Sequence, residues 1–479
     1  MVIKTDRTDV RPLEYFVVSQ AQRIMLTEGT RTPPGPTEPF HGGPELFGWM
    51  GEQFKKFGNI YRASIHGADA YVITDPEYAR HVLLRNWQNY ARGLHVKRIA
   101  FLMGKGLIVS EGEFWKKQRR MMQPAFHQRA INALVDVMIG ANFTLLSKWE
   151  RAADEGQGVN VTDDVSRMVL EVVLRSLFGA DYEEIAPHFK IVADVTERDL
   201  AFAQAFQALG KIILGIIARR REASVVATDI LGMLMHAKDR DTNQGMSDRQ
   251  VVNEVMTLIV AGHETTASTL NWAWYLATQH PDVQEKLARE VDRNLAGDSP
   301  ALDQLDQFSY SEQVLEETMR LYPALWLMTR RALKEDEIGG YNIPAGAEIY
   351  VSPYYIQRHP GLWENADQFD PERFAPGDTE KRRRMMLLPF SVGPRSCIGE
   401  YFSRLEMQIH VIMVQKRLRL SYEQTTPLEV QAGINLRSKY DFIMRPTLRE
   451  PAIADRARRE NVMPNDRQMV PTRNARPVC

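Results

Sequence analysis

Cysteine is almost missing from this chain: two in 479 residues, Cys397 and the terminal Cys479. Two thiols can neither build a disulfide framework nor hold an iron–sulfur cluster, so a reducing, cytoplasmic setting is expected. Long apolar runs are missing too. No stretch reaches the roughly 18 apolar residues of a membrane span. The first apolar patch, Tyr15-Phe16-Val17-Val18, is followed by polar residues. It lacks the basic-then-apolar layout and small-residue cleavage site of a signal peptide. Charge of neither sign dominates: 60 Lys and Arg stand against 61 Asp and Glu, a net charge of −1. That excludes a global basic field for nucleic acid. A nucleotide-cofactor fingerprint is absent as well. Gly104-Lys105-Gly106 lacks the third glycine and the strand–helix setting such a motif needs.

What is present is mostly helix. The length alone suggests about three domains, yet no linker-like break appears between residues 40 and 445. The expected organisation is an N-terminal segment over 1–30 without a transmembrane anchor, one domain over 31–448, and a disordered tail over 449–479. The tail is rich in Arg, Asn and Pro and has no apolar period. Pro33-Pro34-Gly35-Pro36 is stiff and non-helical. The amphipathic stretch Leu13 to Leu26 is expected to pack on the body of the protein. Apolar residues at three- and four-residue spacing predict helices over 128–150, 162–178, 249–277, 281–295 and 310–322. Strand signals cluster in two places: a hairpin of 60–65 with 70–74, and 348–352 after the turn at Pro344-Ala345-Gly346. A small late strand pair fits 418–448. The fold class is mainly α with small β-sheets.

The interior cysteine lies in Phe390-Ser391-Val392-Gly393-Pro394-Arg395-Ser396-Cys397-Ile398-Gly399. Taken alone it reads as a small buried hydrophobe. Its surroundings argue otherwise. Gly393 and Gly399 allow a tight turn and the approach of something bulky. Arg395 places a positive charge two residues before the sulfur, which favours thiolate. An apolar-periodic helix follows, through Leu405, Met407, Ile409, Val411, Ile412 and Val414. The sulfur then sits at a helix N-terminus, whose dipole favours an anion. A thiolate so placed can be an axial ligand to haem iron.

This stretch resembles, at every fixed position, the haem-ligand signature of the cytochrome P-450 monooxygenases. The resemblance covers about residues 30 to 448. It implies the family's triangular prism, with haem b between a distal helix and the cysteine loop. It also implies a soluble member of bacterial type. Cys397 is the implied iron ligand, with Phe390, Arg395 and Gly399 as cofactor-binding neighbours.

A second motif lies in the helix around Val251 to Leu270: Ala261-Gly262-His263-Glu264-Thr265-Thr266. Glycine inside a helix costs about 1 kcal/mol against alanine. A flat ligand or a kink would account for it. Thr265 can back-bond to the carbonyl of Ala261. A zincin reading fails, because its second histidine would fall at Ala267. The hexapeptide resembles the family's oxygen-activating helix. The resemblance implies Glu264 and Thr265 as the catalytic proton-delivery pair, with Ala261 and Gly262 against the haem.

Further correspondences follow the same order along the chain. Glu317 and Arg320 resemble the Glu-x-x-Arg motif, and Arg373 in Phe369-Asp370-Pro371-Glu372-Arg373-Phe374 is the implied third member of a structural network. Trp115 and Arg119 resemble the Trp-x-x-x-Arg propionate pair. Arg330 corresponds to another propionate arginine, with Arg331 one register away, and Arg395 is the third clamp. Implied substrate-lining residues are Phe101, Leu102, Met103, Leu258, Ala261 and Leu325-Trp326-Leu327-Met328. They are apolar, so the substrate is lipophilic. Fatty acids, terpenoids and polyketides stay open. The stretch from Phe178 to Arg221, expected to hold two roof helices, is short.

Without a cofactor fingerprint of its own, a monomer of this kind takes electrons from a ferredoxin or flavodoxin with its reductase. Lys381-Arg382-Arg383-Arg384 and the group Lys116, Lys117 and Arg120 are candidates to steer such an acidic partner. The implied reaction is insertion of one oxygen atom from dioxygen into a C–H or C=C bond. The alternatives are a haem-thiolate peroxygenase or isomerase, and a non-catalytic haem or lipophile binder.

Overall fold

The computed structural model describes residues 31–449 except 44, 95, 97–103, 192–198, 225–226, 378–385 and 425–426. Several expectations therefore lie outside the described residues: the Leu13–Leu26 stretch, Phe101 to Met103, the Lys381–Arg384 run, and the tail from 450 to Cys479.

The fold is mainly helical. Its longer helices are α1 (Leu46–Phe57), α2 (Gly112–Met122), α3 (Val135–Asp154), α4 (Val161–Phe178), α5 (Asp199–Glu222), α6 (Asp248–Gln279), α7 (Pro281–Asn294), α8 (Ser309–Leu321) and α9 (Glu400–Arg417). The strands are β1 (Ile60–Ile65), β2 (Ala68–Ile73), β3 (Tyr90–Arg92), β4 (Val159–Asn160), β5 (Met328–Ala332), β6 (Asp336–Ile338), β7 (Tyr341–Ile343), β8 (Glu348–Val351), β9 (Leu418–Tyr422), β10 (Val430–Ala432), β11 (Leu436–Ser438) and β12 (Ile443–Leu448).

Helix α6 is the central beam. A reciprocal capping box starts it: Ser247 Oγ accepts from Gln250 N–H, and Gln250 Oε1 accepts from Ser247 N–H. Most of its 32 residues are buried, as a helix packed on several sides requires. Helices α3, α4, α6 and α9 supply much of the main core, including Trp149, Trp272 and Trp274. The helix expected over 128–150 is divided. A short turn, Gln128–Asn132, is followed by Leu134 at φ −101° and ψ 2°, outside the helical basin, and α3 then starts afresh.

The two separate strand signals belong to one sheet. Its order is β1-β2-β8-β5-β3, with β2 and β8 parallel and the other pairs antiparallel. In the β3–β5 pair, Arg92 stands directly opposite Arg330. The expected late strand pair is β9 with β12, joined by β4. A further hairpin, β10–β11, is inserted between them in the chain.

Between Phe178 and Arg221 the chain forms short turns, then the 24-residue α5, with 192–198 outside the described residues. Arg220, at the end of α5, is buried against Asp229 and Asp181 and donates to the carbonyl of Phe178. Among the described residues no helix is long and apolar enough to cross a membrane.

Glu317 and Arg320 on α8 are fully buried and not at the surface. Arg320 grips both carboxylate oxygens, at 2.6 and 2.8 Å, and donates to the carbonyls of Gln357, Ala366 and Gln368. Arg373 reaches Glu317 at 3.3 Å and donates to the carbonyls of Glu364 and Asn365. One carboxylate and two guanidiniums thus hold the chain over 357–373, which leads into the cysteine loop.

Candidate active site

The cysteine loop closes on itself before α9 begins. Cys397 N–H donates to Phe390 C=O at 2.9 Å, and Ser396 N–H donates to Gly393 C=O at 3.0 Å. Gly393 is required twice over. Its φ is +80°, and a Cβ there would lie 2.2 Å from the carbonyl oxygen of Leu83. The close approach is therefore by the protein's own 83–84 turn. Gly399 differs from the expectation that both glycines serve the turn. It caps α9 at φ −92°, and a Cβ would meet nothing nearer than 4.0 Å, the Cys397 sulfur among them.

The Cys397 side chain is exposed by surface area, yet protein surrounds it closely enough for burial to act on it. Burial pushes its thiol up, while the N–H of Gly399 and the charge of Arg119 pull the other way. The cation that acts on the sulfur is Arg119, which corrects the assignment of that role to Arg395. Arg119, on α2, donates to Ser396 C=O at 2.9 Å. Together with Cys397, Gln123, His127 and Arg404 it lines a depression of about 350 Å³.

Arg395 turns away from the sulfur. It donates to Ser110 C=O at 3.0 Å and stacks 4.2 Å from the Trp115 ring centre. Trp115 is buried and meets Trp87 edge-on. Arg395 belongs to a cluster with Arg330 and with Arg92, a residue that no sequence motif marked. Burial and the neighbouring charge of Arg395 lower the Arg330 guanidinium to about 10. Burial and the charges of Arg330 and Arg395 hold Arg92 well below its ordinary value, against the pull of Glu111. Arg92 Nε is buried without a hydrogen-bond partner. The register question is answered by strand alternation: Arg330 is buried in this cluster and Arg331 is on the opposite face of β5.

On α6, Leu258, Ala261, Gly262 and Thr265 are partly accessible within a helix that is otherwise mostly buried. Their spacing of three, four and seven puts them on one face. Thr265 Oγ1 donates to Ala261 C=O at 2.8 Å, the anticipated back-bond. Glu264 accepts from Asn435 Nδ2 at 3.4 Å. His263 is buried and bound to Ser166 on α4, and burial lowers its pKa. Gly262 also answers to α4, since a Cβ would come within 3.2 Å of Val173. Helix packing is thus one reason for that glycine. Thr266 and Ser403 share a hydroxyl hydrogen bond of 2.8 Å that ties α6 to α9. Among the substrate-lining candidates, Leu325 is exposed and Leu327 partly accessible, whereas Trp326 and Met328 are core residues.

Three neighbouring cations, Arg330 buried and Arg92 and Arg395 half-buried, form a site for carboxylates. An accessible cysteine sulfur suits a metal. Haem supplies both an iron and two propionates, so the donor set fits it. Among the described residues no group of three or more His, Cys, Asp or Glu could hold a bare metal ion.

The cytochrome P450 family model matches residues 41–210 and 195–444. Cyclooctat-9-en-7-ol 5-monooxygenase of Streptomyces melanosporofaciens is 32% identical over 384 residues, spanning 76% of this chain and 83% of that protein. Carotene epsilon-monooxygenase, chloroplastic, of Arabidopsis thaliana is 28% identical over 446 residues, spanning 84% and 81%. The crystal structure of the cytochrome P450DA heme domain superposes with a TM-score of 0.77 at 26% identity, covering 88% of this chain and 98% of that one. With the cysteine loop, the cationic cluster and the Glu264-Thr265 helix in one fold, the chain belongs to the cytochrome P450 family of haem-thiolate, oxygen-incorporating oxidoreductases.

Proposed function

We propose that this enzyme inserts one oxygen atom of dioxygen into a cyclic terpenoid, with electrons from a separate redox protein. The observation that carries the reading is Thr265 on the accessible face of α6, its hydroxyl closed on Ala261, with the partly accessible Glu264 next to it in the chain. When bound, the haem supplies dioxygen activation, which its cysteine thiolate ligand promotes.

The chain's own residues do the rest. Cys397 presents the thiolate, with Gly399 N–H and Arg119 favouring the charged sulfur. Phe390 C=O and the Gly393 turn hold the loop in shape. Arg92, Arg330 and Arg395 would hold the propionates, with the Trp115 ring stacked on Arg395. Ala261 leaves room beside the cofactor. Glu264 takes protons from solvent, and Thr265 hands them on through its hydroxyl.

The substrate class is supported by the relatives named for cyclooctat-9-en-7-ol and carotene. The apolar, accessible Leu258, Ala261 and Leu325 agree with it. The three arginines are committed to the propionates in this reading, which leaves none of them to anchor a fatty acid. The depression beside Cys397, with Arg119, His127 and Arg404, is the proposed electron entry for an acidic ferredoxin or flavodoxin. The α2 cations contribute less than their number suggests. Lys116 is paired with Glu113, and Arg120 with Asp239 and Asp241. A cytoplasmic monomer is proposed.

A spin-state titration of the purified haem protein tests the substrate class. Its panel holds fatty acids of graded length, cyclic terpenoids and macrolide-like compounds. A saturable low-to-high-spin shift with terpenoids is expected. A shift confined to fatty acids would overturn the proposal.

A further inference from the structure

We infer that Asn435 is a positioning residue for Glu264. The inference rests on the reading of Glu264 as the proton-delivering acid. Glu264 is partly accessible, and its carboxylate accepts from Asn435 Nδ2 at 3.4 Å across 171 residues of sequence. Asn435 lies in the turn of the β10–β11 hairpin. That turn is pinned on both sides of it. Leu436 N–H donates to Ala324 C=O at 2.9 Å, and Trp326 Nε1 donates to Gly433 C=O at 2.9 Å. Leu436 C=O accepts from Ser268 Oγ at 2.7 Å and from Trp272 Nε1 at 3.0 Å.

Glu264, Ser268 and Trp272 are spaced four and four, so they share one face of α6. The hairpin lies along that face. Two fixed bonds, from Ser268 and Trp272, set the distance of the turn from the helix. The third and longest, from Asn435, goes to the group that must move protons. An amide N–H to a carboxylate restricts its rotamers. At 3.4 Å the bond is long enough to yield when Glu264 turns toward Thr265. Ile434, beside Asn435, is 68% exposed, so the hairpin tip meets its surroundings at the residue next to the amide. A hairpin far away in sequence therefore sets where the acid rests between protonation events.

The test compares Asn435→Leu, Asn435→Gln, Glu264→Gln and the Leu/Gln double variant. Each is prepared as the holoenzyme with a surrogate ferredoxin pair and no added substrate. The readouts are the ratio of peroxide to water formed from dioxygen and the thermal unfolding midpoint. Asn435→Leu removes the donor at similar volume. It is expected to shift the ratio in the same direction as Glu264→Gln, by about fivefold, with the reduced carbon monoxide spectrum unchanged. Asn435→Gln, which keeps an amide, recovers part of the shift. The double variant shifts no further than Glu264→Gln alone, and the midpoint changes are non-additive.

If Asn435→Leu behaves as the parent while Glu264→Gln does not, the positioning role is overturned and the proton-delivery reading stands. Additive ratios and midpoints in the double variant likewise overturn it, because Asn435 would then act elsewhere. If Glu264→Gln itself leaves the ratio unchanged, the proton-delivery reading fails, and this inference falls with it.

Discussion

Two clusters of arginine among the described residues are unlike. Around Glu317, each guanidinium has a destination: Arg320 meets the carboxylate twice and three carbonyls besides, and Arg373 reaches the same carboxylate and two more carbonyls. Around Arg330 like charges meet: Arg395 lowers the proton affinity of Arg330, and both lower that of Arg92, with Glu111 pulling the other way. Burying a charge is costly unless it is paired. The first cluster is complete as protein alone and serves the fold. The second sets three cations against one carboxylate, Glu111, and in the proposed reading it serves the cofactor. Burial by itself does not separate structure from function; the balance of donors and acceptors does.

Removing the carboxylate of the complete cluster sharpens this contrast most. Glu317→Gln leaves two buried guanidiniums without a counter-charge and should cost about 3–5 kcal/mol in urea unfolding. A loss under about 1 kcal/mol would break the comparison. Arg330→Leu should act in the opposite sense on the protein itself. It relieves repulsion, so the helical signal in circular dichroism persists, while haem transfer to apomyoglobin speeds up by roughly tenfold, the scale of one lost charged hydrogen bond. A variant that unfolds as Glu317→Gln does would show the two clusters to be alike.

The smallest effect concerns Glu254, a third kind of buried ionisable group. Burial pushes its carboxyl up to about 7, opposed only by Leu107 N–H, which donates at 2.8 Å. The folded state therefore keeps this proton to higher pH than the unfolded state does. Its stabilising contribution is fully present below about pH 4.5. It falls as pH rises toward about 7 and is level above that. Urea unfolding at pH 5 and pH 7.5 should differ by an amount of order 1 kcal/mol that Glu254→Gln abolishes. An undiminished difference in the variant would assign the slope to other groups.

The cysteine loop and the Glu264-Thr265 helix were legible because their chemistry is local. A turn glycine and a back-bonding threonine each act over four residues or fewer. Arg92 was not legible. Nothing in Tyr90-Ala91-Arg92 marks it, and its meaning comes from standing opposite Arg330 in β3–β5. Arg119 was assigned beside Arg395, yet its guanidinium goes to the Ser396 carbonyl and acts on the sulfur. A side chain of that length can turn to either side of its helix, and spacing does not choose between them. Gly262 was read against a ligand because the motif called for one, and the structure adds a second neighbour, Val173 on α4, that spacing alone did not reveal. Trp326 and Met328 are apolar, as a pocket requires, but so is the core that takes them.

The sequence by itself determined the mainly helical class and the members of the Glu317 cluster, and it singled out the cysteine loop and the Glu264-Thr265 helix on which the proposed chemistry rests. Their residue types and short spacings admit few other arrangements. Only the tertiary structure decided which arginines converge, which face of α6 is open, and that Asn435 comes to Glu264. Those contacts depend on strand register and helix packing between segments far apart in the chain, and a side chain's partners are set by the elements that meet around it.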